Sequence, residues 1–233
     1  MSKRFEDKTA LITGASRGIG AAVAKALAAE GAHVILVARS VGGLEEVDDA
    51  ISSAGGSATL VPLDLRETDA IDGLAAPLLD RWGKLDILVG NAGMLGKLTP
   101  TAQYDPKLWE EVFKLNVHAN WRLIRALDPL LRHAENGRAL FVTAEAAGLH
   151  KQYWAGYASS KAALEELVRT YAAEVERTDL KVNLIDPGPT ATKLRLAAYP
   201  GEKQETLPTP DDKVAMFLNA LTEDFVESGT LIR

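Results

Sequence analysis

Two residues four positions apart, Tyr157 and Lys161, form a pair suited to proton transfer, because both lie on one face of a predicted helix. A phenol ordinarily titrates near pH ~10, and a neighbouring cation stabilises the phenolate and lowers that pKa. A phenol tuned in this way gives a proton to an alcohol oxygen or takes one from it. Taken alone, this spacing is also a common accident of helix sequence, so the interpretation depends on the rest of the chain.

A glycine-rich turn near the start of the chain supplies that context. The apolar run 9–12 has strand length, Gly14, Gly18 and Gly20 follow it, and the alanine-rich run 21–30 has high helix propensity. Strand, turn and helix open a nucleotide-binding βαβ unit, in which the helix N-terminus attracts phosphate. The spacing G-x-x-x-G-x-G differs from the commoner G-x-G-x-x-G, and a tight turn without a ligand is the alternative.

Composition excludes several classes of protein. The 233 residues suffice for one large domain, and a net charge of −6 argues against a surface for nucleic acid. The chain has no cysteine, and its four histidines form no ligand motif, so we predict no disulfide, thiol catalysis or metal site. Residues 1–7 contain no apolar signal core and no run approaches the roughly 20 apolar residues of a membrane helix. We therefore expect a cytoplasmic protein with no membrane partner.

Apolar runs and helical segments alternate along the chain. Strands are predicted at 9–12, 32–38, 58–63, 85–89, 138–143, 181–185 and 229–232, and helices at 21–30, 41–54, 68–81 (irregular at Pro77), 105–133 (bent near its middle), 157–177 and 211–221. This order predicts an α/β fold with one doubly wound domain over 1–233, a mostly parallel sheet and helices on both faces. Segment 193–210 is rich in proline, glycine and charge, which predicts a mobile loop over the site.

Charged residues at two predicted strand ends bear on the cofactor. Arg39 follows the strand that would face an adenosine ribose, and Arg17 lies in the glycine turn. Guanidinium groups pair with phosphate, so we predict NADP(H) over NAD(H), although a solvated loop cation is the alternative for Arg39. Asp64 could hold the adenine amino group, cap the helix that begins near Thr68, or do both.

Several motifs occur together in an order and spacing that resemble the short-chain dehydrogenase/reductase family over residues 5–192. They are Thr13-Gly14-x-x-x-Gly18-x-Gly20, Asn91-Ala92-Gly93, Asn116, Tyr157-x-x-x-Lys161 and Pro187-Gly188. The resemblance implies one Rossmann-type domain with a seven-stranded sheet. It also implies hydride transfer between a nicotinamide cofactor and a small carbonyl or alcohol.

Residue roles follow from the resemblance by position. It implies that Tyr157 is the general acid/base, that Lys161 holds the nicotinamide ribose and tunes Tyr157, and that Asn116 kinks its helix and anchors a water. The residues implied to contact the cofactor, on this basis and from the runs above, are Gly14, Ser16, Arg17, Gly18, Ile19, Gly20, Arg39, Asp64, Leu65, Asn91, Ala92, Gly93, Tyr157, Lys161, Pro187, Gly188 and Thr192.

The family's usual serine is missing. Counting back twelve or thirteen residues from Tyr157 gives Glu145 or Ala144, and Thr143 comes one position too early. Losing one preorganised donor on the reacting oxygen costs on the order of 100-fold in rate. A carboxylate near Tyr157 would also raise the phenol's pKa. Two smaller departures are Gly90 and Asp186, where the family often has asparagine.

Three hypotheses follow. The first is an NADP(H)-dependent oxidoreductase in which Thr143, Tyr153, a water or a protonated Glu145 replaces the serine. The second is a cofactor-binding protein with little turnover, acting as a sensor or interaction module. The third is a related lyase or epimerase that uses Tyr157. The presence of Asn116, Tyr157 and Lys161 favours the first, because a pure binder does not need a proton relay.

Substrate and assembly are less constrained by the sequence. The side chains of Met94, Leu95, Tyr153 and Trp154 either line an apolar pocket or pack internally. The resemblance implies a homo-oligomer, and we favour a dimer over a tetramer because only a few residues follow the start of the last predicted strand, where many members of the family have a longer tail. The candidate interface residues are Trp109, Phe113 and Trp121, or Leu164, Leu167 and Tyr171.

Overall fold

The structure, a computed structural model, describes residues 3–233. Within that range the strands are β1 (Thr9–Thr13), β2 (His33–Ala38), β3 (Ser57–Pro62), β4 (Ile87–Gly90), β5 (Arg138–Val142), β6 (Lys181–Ile185) and β7 (Leu231–Ile232). They form one sheet in the order β3-β2-β1-β4-β5-β6-β7, and every pair is parallel. The predicted doubly wound sheet is confirmed. Strands β2 and β3 are added on one side of β1 and strands β4 to β7 on the other, so the chain changes direction across the sheet between β1 and β4.

The helices are α1 (Gly18–Ala29), α2 (Val41–Ser53), α3 (Thr68–Asp72), α4 (Ala75–Trp82), α5 (Pro106–Phe113), α6 (Ala119–His133), α7 (Ala155–Glu174), α8 (Lys193–Ala198) and α9 (Val214–Leu221). None of those in the described range combines the length and apolar character that crossing a membrane requires.

Two apolar layers cover the sheet because successive strand residues face opposite sides. Ala10 and Ile12 of β1 pack with residues of α1, α2 and α9. Leu11, between them, packs on the other side with residues of α3, α4, α6 and α7. The central strands are buried on both faces, as their unbroken apolar runs predict.

Two segments differ from the predicted elements, and a third agrees with a predicted irregularity. The predicted helix 68–81 is two helices separated at Gly73, and Pro77 lies in the first turn of α4, where a missing N–H costs little. The stretch 105–133 is continuous through a π-helical turn, Lys114–His118, which accounts for the predicted irregularity. Segment 193–210 begins with α8, whose first turn is capped by the Thr192 hydroxyl accepting from the Arg195 N–H.

Candidate active site

A cavity of about 760 Å³ lies at the carboxyl edge of the sheet, where ligands bind in folds of this kind. Nearly all the residues implied to contact a cofactor line it, namely Gly14, Ser16, Arg17, Gly18, Ile19, Arg39, Asp64, Leu65, Asn91, Ala92, Gly93, Tyr157, Lys161, Pro187, Gly188 and Thr192. Two predicted site residues, Gly20 and Asn116, are not part of the wall.

The turn before α1 adopts backbone conformations that favour glycine. Gly14 and Gly18 have φ values of +65° and +58°. Position 20 favours glycine for a different reason, because an added Cβ there would lie 2.5 Å from Asn91 Nδ2. The α1 N-terminus has no side-chain cap, so its N–H groups remain available to an anion in the cavity.

Thr13 joins this turn to the loop after β4. Its hydroxyl oxygen accepts hydrogen bonds from the N–H groups of Asn91 and Ala92, both at 3.0 Å. The Asn91 amide in turn donates to the Thr13 carbonyl at 2.8 Å. Asn91 therefore holds two walls of the cavity together. The Thr13 hydroxyl was not among the predicted site residues, although it belongs to the glycine motif.

Tyr157 and Lys161 lie in the first two turns of α7 and line the same cavity. Tyr157 is 7% exposed and Lys161 3%. The Lys161 ammonium donates to the Val142 carbonyl at the end of β5, at 2.8 Å, and lies 5.8 Å from the centre of the Tyr157 ring. One bond to the sheet thus fixes the cation beside the phenol.

Burial controls the protonation of both groups. It lowers the pKa of Lys161 to about 8, while the charges of Asp186 and Glu165 act in the opposite direction. It raises the pKa of the Tyr157 phenol, and the negative charge of Asp186 adds to the effect. The expected lowering of the Tyr157 pKa is wrong for the protein's own groups, because burial of the phenol raises that pKa.

Asn116 lies behind the cavity wall, in the π-helical turn, and is fully buried. Its amide oxygen accepts from the Met94 N–H, and its amide nitrogen donates to the Met94 carbonyl and to the Ser160 hydroxyl, each at 2.9 Å. Ser160 donates to the Tyr157 carbonyl at 2.8 Å. The chain of bonds links Asn116 to the helix that carries the phenol. Sequence reasoning missed Ser160, whose signal is its place between Tyr157 and Lys161.

Three side chains are candidates for the missing serine's role, and the structure separates them. The Thr143 hydroxyl donates to Glu165 at 2.9 Å, so it is already engaged away from a substrate. Tyr153 is 54% exposed and lies outside the cavity wall. Glu145 begins a short 3₁₀ turn, is exposed, and lines the cavity beside Ala144. Of the three side chains, the Glu145 carboxyl is therefore the best placed.

The two smaller departures have local causes. A Cβ at Gly90 would overlap the Phe141 ring on the neighbouring strand and lie 2.7 Å from Asn120 Oδ1, so no larger residue fits. Asp186 is 7% exposed, lines the cavity and accepts a hydrogen bond from the Gly188 N–H at 2.9 Å. Asparagine could accept the same bond, so the aspartate adds only a charge.

The adenosine end of the cavity contains Arg39 and Asp64, both on its wall. Asp64 does not cap a helix, because the N-cap of α3 is Glu67 and lacks a side-chain bond. Its carboxylate instead accepts from the side chain of Arg66. The capping alternative for Asp64 is therefore wrong.

Aromatic and charged side chains line the opposite end. Trp154 packs with Tyr157 and Tyr199, and the Lys151 ammonium donates to the Tyr199 hydroxyl at 2.9 Å. The Arg195 guanidinium stacks on Tyr199 and forms a two-pronged ion pair with Glu202, at 2.6 and 2.7 Å.

Of the side chains predicted to form an apolar pocket, Trp154 lines the cavity and Met94, Leu95 and Tyr153 do not. Among the candidate interface residues, Leu164 and Tyr171 are buried in the chain's own core, which excludes them from a contact between subunits. Trp121 on α6 is 46% exposed.

The chain is similar to known dehydrogenases and oxidoreductases. A family model described as short chain dehydrogenase matches residues 8–203. An uncharacterized oxidoreductase of Escherichia coli K12, YciK, is 33% identical over 223 residues, or 94% of this chain and 88% of its own length.

Two solved structures described as complexes are similar over the whole chain. A short chain dehydrogenase of Shigella flexneri 2a, complexed with NADP, has a TM-score of 0.96 at 32% identity, covering 100% of this chain and 98% of its own. One from Escherichia coli CFT073, complexed with NADPH, has a TM-score of 0.94 at 32% identity with the same coverage.

Proposed function

The chain belongs to the short-chain dehydrogenase/reductase family of oxidoreductases, and we propose that it interconverts a carbonyl and an alcohol with NADP(H). One observation carries the proposal. The buried Tyr157–Lys161 pair, the glycine turn before α1 and Arg39 all belong to the wall of a single cavity.

The residues of the wall fit a phosphorylated dinucleotide. The uncapped N-terminus of α1 and the glycines at 14 and 18 suit a pyrophosphate. Arg17 and Arg39 suit a 2′-phosphate, and similar proteins are described in complex with NADP and NADPH. The single Rossmann-type domain spans the described chain. When bound, the nicotinamide supplies the hydride donor or acceptor.

The chain's own part in the reaction is to hold and move a proton. Tyr157 donates its phenolic proton to the carbonyl oxygen during reduction and accepts it back during oxidation. Lys161, fixed by the Val142 carbonyl, places a positive charge beside the phenol and has two further N–H groups for ribose hydroxyls. Asn116 acts through Ser160 and the Tyr157 backbone, and its water-anchoring role remains a prediction.

A protein that binds the cofactor with little turnover is the alternative. Two observations are compatible with it, namely the exposed Glu145 at the serine position and the engagement of the Thr143 hydroxyl with Glu165. A serine's donor would be absent, so the turnover of an oxidoreductase with this site is expected to be lowered rather than abolished.

Tyr157→Phe separates these functions. In a panel of small aldehydes and ketones, we expect the wild type to oxidise NADPH and the variant to lose at least about 100-fold in kcat/KM. The NADPH Kd, measured by cofactor fluorescence, should stay within about twofold, because the substitution keeps the aromatic ring and removes only the hydroxyl.

Tyr153→Phe is the matched control, because that side chain is exposed and outside the cavity. It should keep wild-type turnover. Full turnover in Tyr157→Phe would refute the assigned role, and NADPH binding without any turnover in the wild type would favour the binding protein.

For assembly, we propose a homodimer that uses α6, where the exposed Trp121 lies beside Arg122 and Arg125. Light scattering of the wild type and Trp121→Glu tests it, with a monomeric variant expected. An unchanged molecular mass would exclude Trp121 from the interface.

A further inference from the structure

We propose that Arg66 is a specificity-determining residue for the phosphorylated cofactor. By holding the Asp64 carboxylate, it keeps the Arg39 guanidinium free to bind a 2′-phosphate. The inference rests on the proposed function, because it concerns the adenosine end of the same cavity.

Arg66 holds Asp64 at several points. Its Nε lies 3.1 and 3.2 Å from the two carboxylate oxygens, and its Nη2 lies 2.6 Å from Oδ2. On its other side, Nη1 donates to Glu111 of α5 at 2.7 Å. The Arg66 hydrogen bonds lower the pKa of the Asp64 carboxyl below its ordinary value, so this acid stays charged at neutral pH.

Arg39 competes weakly for the same carboxylate. Its Nη1 lies 3.8 Å from Asp64 Oδ2, beyond hydrogen-bonding distance, and its side chain is 61% exposed. Both Arg39 and Asp64 line the cavity, whereas Arg66 is not part of the wall. Arg66 therefore does not contact a ligand in the cavity directly, and it acts on one through Asp64.

Removing Arg66 would change the partner of Asp64. Among residues 3–233, Arg39 is the other cation paired with this carboxylate, and an ion pair between them would have to break before a phosphate could bind. An uncompensated carboxylate would also repel a 2′-phosphate directly. A cofactor with a 2′-hydroxyl meets neither penalty at its ribose, so its affinity should depend much less on Arg66.

Fluorescence titration of wild type and Arg66→Met with NADPH and NADH tests this. We expect the NADPH Kd to rise about tenfold, as loss of one charge-assisted contact predicts, and the NADH Kd to change less than about twofold. Asp64→Asn combined with Arg66→Met should restore the wild-type preference, since the amide does not hold Arg39.

Two further variants serve as controls. Arg132→Met removes an arginine paired with Asp128 at 2.7 Å outside the cavity wall, and it should leave both affinities unchanged. Arg66→Lys keeps the charge but loses the two-pronged grip, so it should weaken NADPH binding by a smaller factor. This variant also serves if Arg66→Met does not fold.

The outcomes distinguish the inference from the proposed function. A wild type that binds neither cofactor refutes the proposed function. A wild type that prefers NADPH, with an unchanged preference in Arg66→Met and Arg66→Lys, overturns the role of Arg66 alone. If Asp64→Asn combined with Arg66→Met does not restore the wild-type preference for NADPH over NADH, the mechanism through Asp64 is overturned.

Discussion

Lys161→Met should stabilise the protein near neutral pH although it removes a residue assigned to the active site. Burial lowers the pKa of the Lys161 ammonium from its ordinary 10.5 to about 8. At about 1.4 kcal/mol per pH unit, keeping this group charged in the folded protein at pH 7 costs about 3 kcal/mol. The variant has no such cost.

The lost hydrogen bond offsets part of this gain. The Val142 carbonyl loses its partner, which costs about 1 kcal/mol, and methionine roughly conserves the volume. The net expectation at pH 7 is a gain of about 2 kcal/mol, or about 4–8 °C in Tm for a chain of this size.

The sign of the pH dependence follows from the lowered pKa. Between pH 8 and 10.5 the unfolded chain binds the proton that folded Lys161 has released, so the wild type gains stability relative to the variant as pH rises. The advantage of Lys161→Met should fall below about 1 kcal/mol at pH 9.5.

Urea denaturation at pH 7 and pH 9.5, at equal protein concentrations and without cofactor, measures both values. Lys25→Met, which removes an exposed lysine on α1, is the control and should show no such pH-dependent difference. A variant less stable than the wild type at pH 7, or an advantage that does not narrow with pH, would refute the reasoning.

Three other predictions concern the departures from the family pattern. Asp186→Asn removes a charge that raises the Tyr157 pKa, so the acidic limb of kcat/KM for alcohol oxidation, where the phenol must lose its proton, should move to lower pH, and an unmoved profile contradicts this. Gly90→Ala should lose about 1–3 kcal/mol in urea denaturation because its methyl group overlaps Phe141, whereas an unchanged midpoint would mean that the ring moves aside. Glu145→Ser should raise carbonyl reduction by up to about 100-fold, and a fall in rate would give the carboxylate a role of its own.

Local sequence patterns predicted most of the fold. Unbroken apolar runs predicted the buried parallel strands, and helix propensity with closing glycines predicted α1 and α2. The division of 68–81 at Gly73 and the short α8 were missed, because tertiary packing and a single threonine cap decide such short helices.

The site residues were predictable where a sequence motif determines the backbone conformation. They were not predictable where a side chain can form a hydrogen bond with any of several partners. The glycine turn and the Tyr157–Lys161 pair line the cavity as predicted. The engagement of Thr143 by Glu165 could not be predicted from spacing, because it depends on which face of α7 meets the end of β5. The predicted lowering of the Tyr157 pKa was wrong for a related reason. Burial raises this pKa, and the extent of burial depends on the whole surrounding fold.

Segment 186–210 is braced largely by its own bonds. Thr192 caps α8, Arg195 grips Glu202, and the Ala191 N–H donates to the Pro208 carbonyl at 2.9 Å. Neither Arg39 nor the glycine turn contributes to these bonds, although Gly18 lies next to Thr192. Exchange of the part that follows Thr192 between relatives should therefore change which substrates are accepted and leave the choice between NADPH and NADH, assigned to Arg39, intact, so the two selectivities can evolve separately.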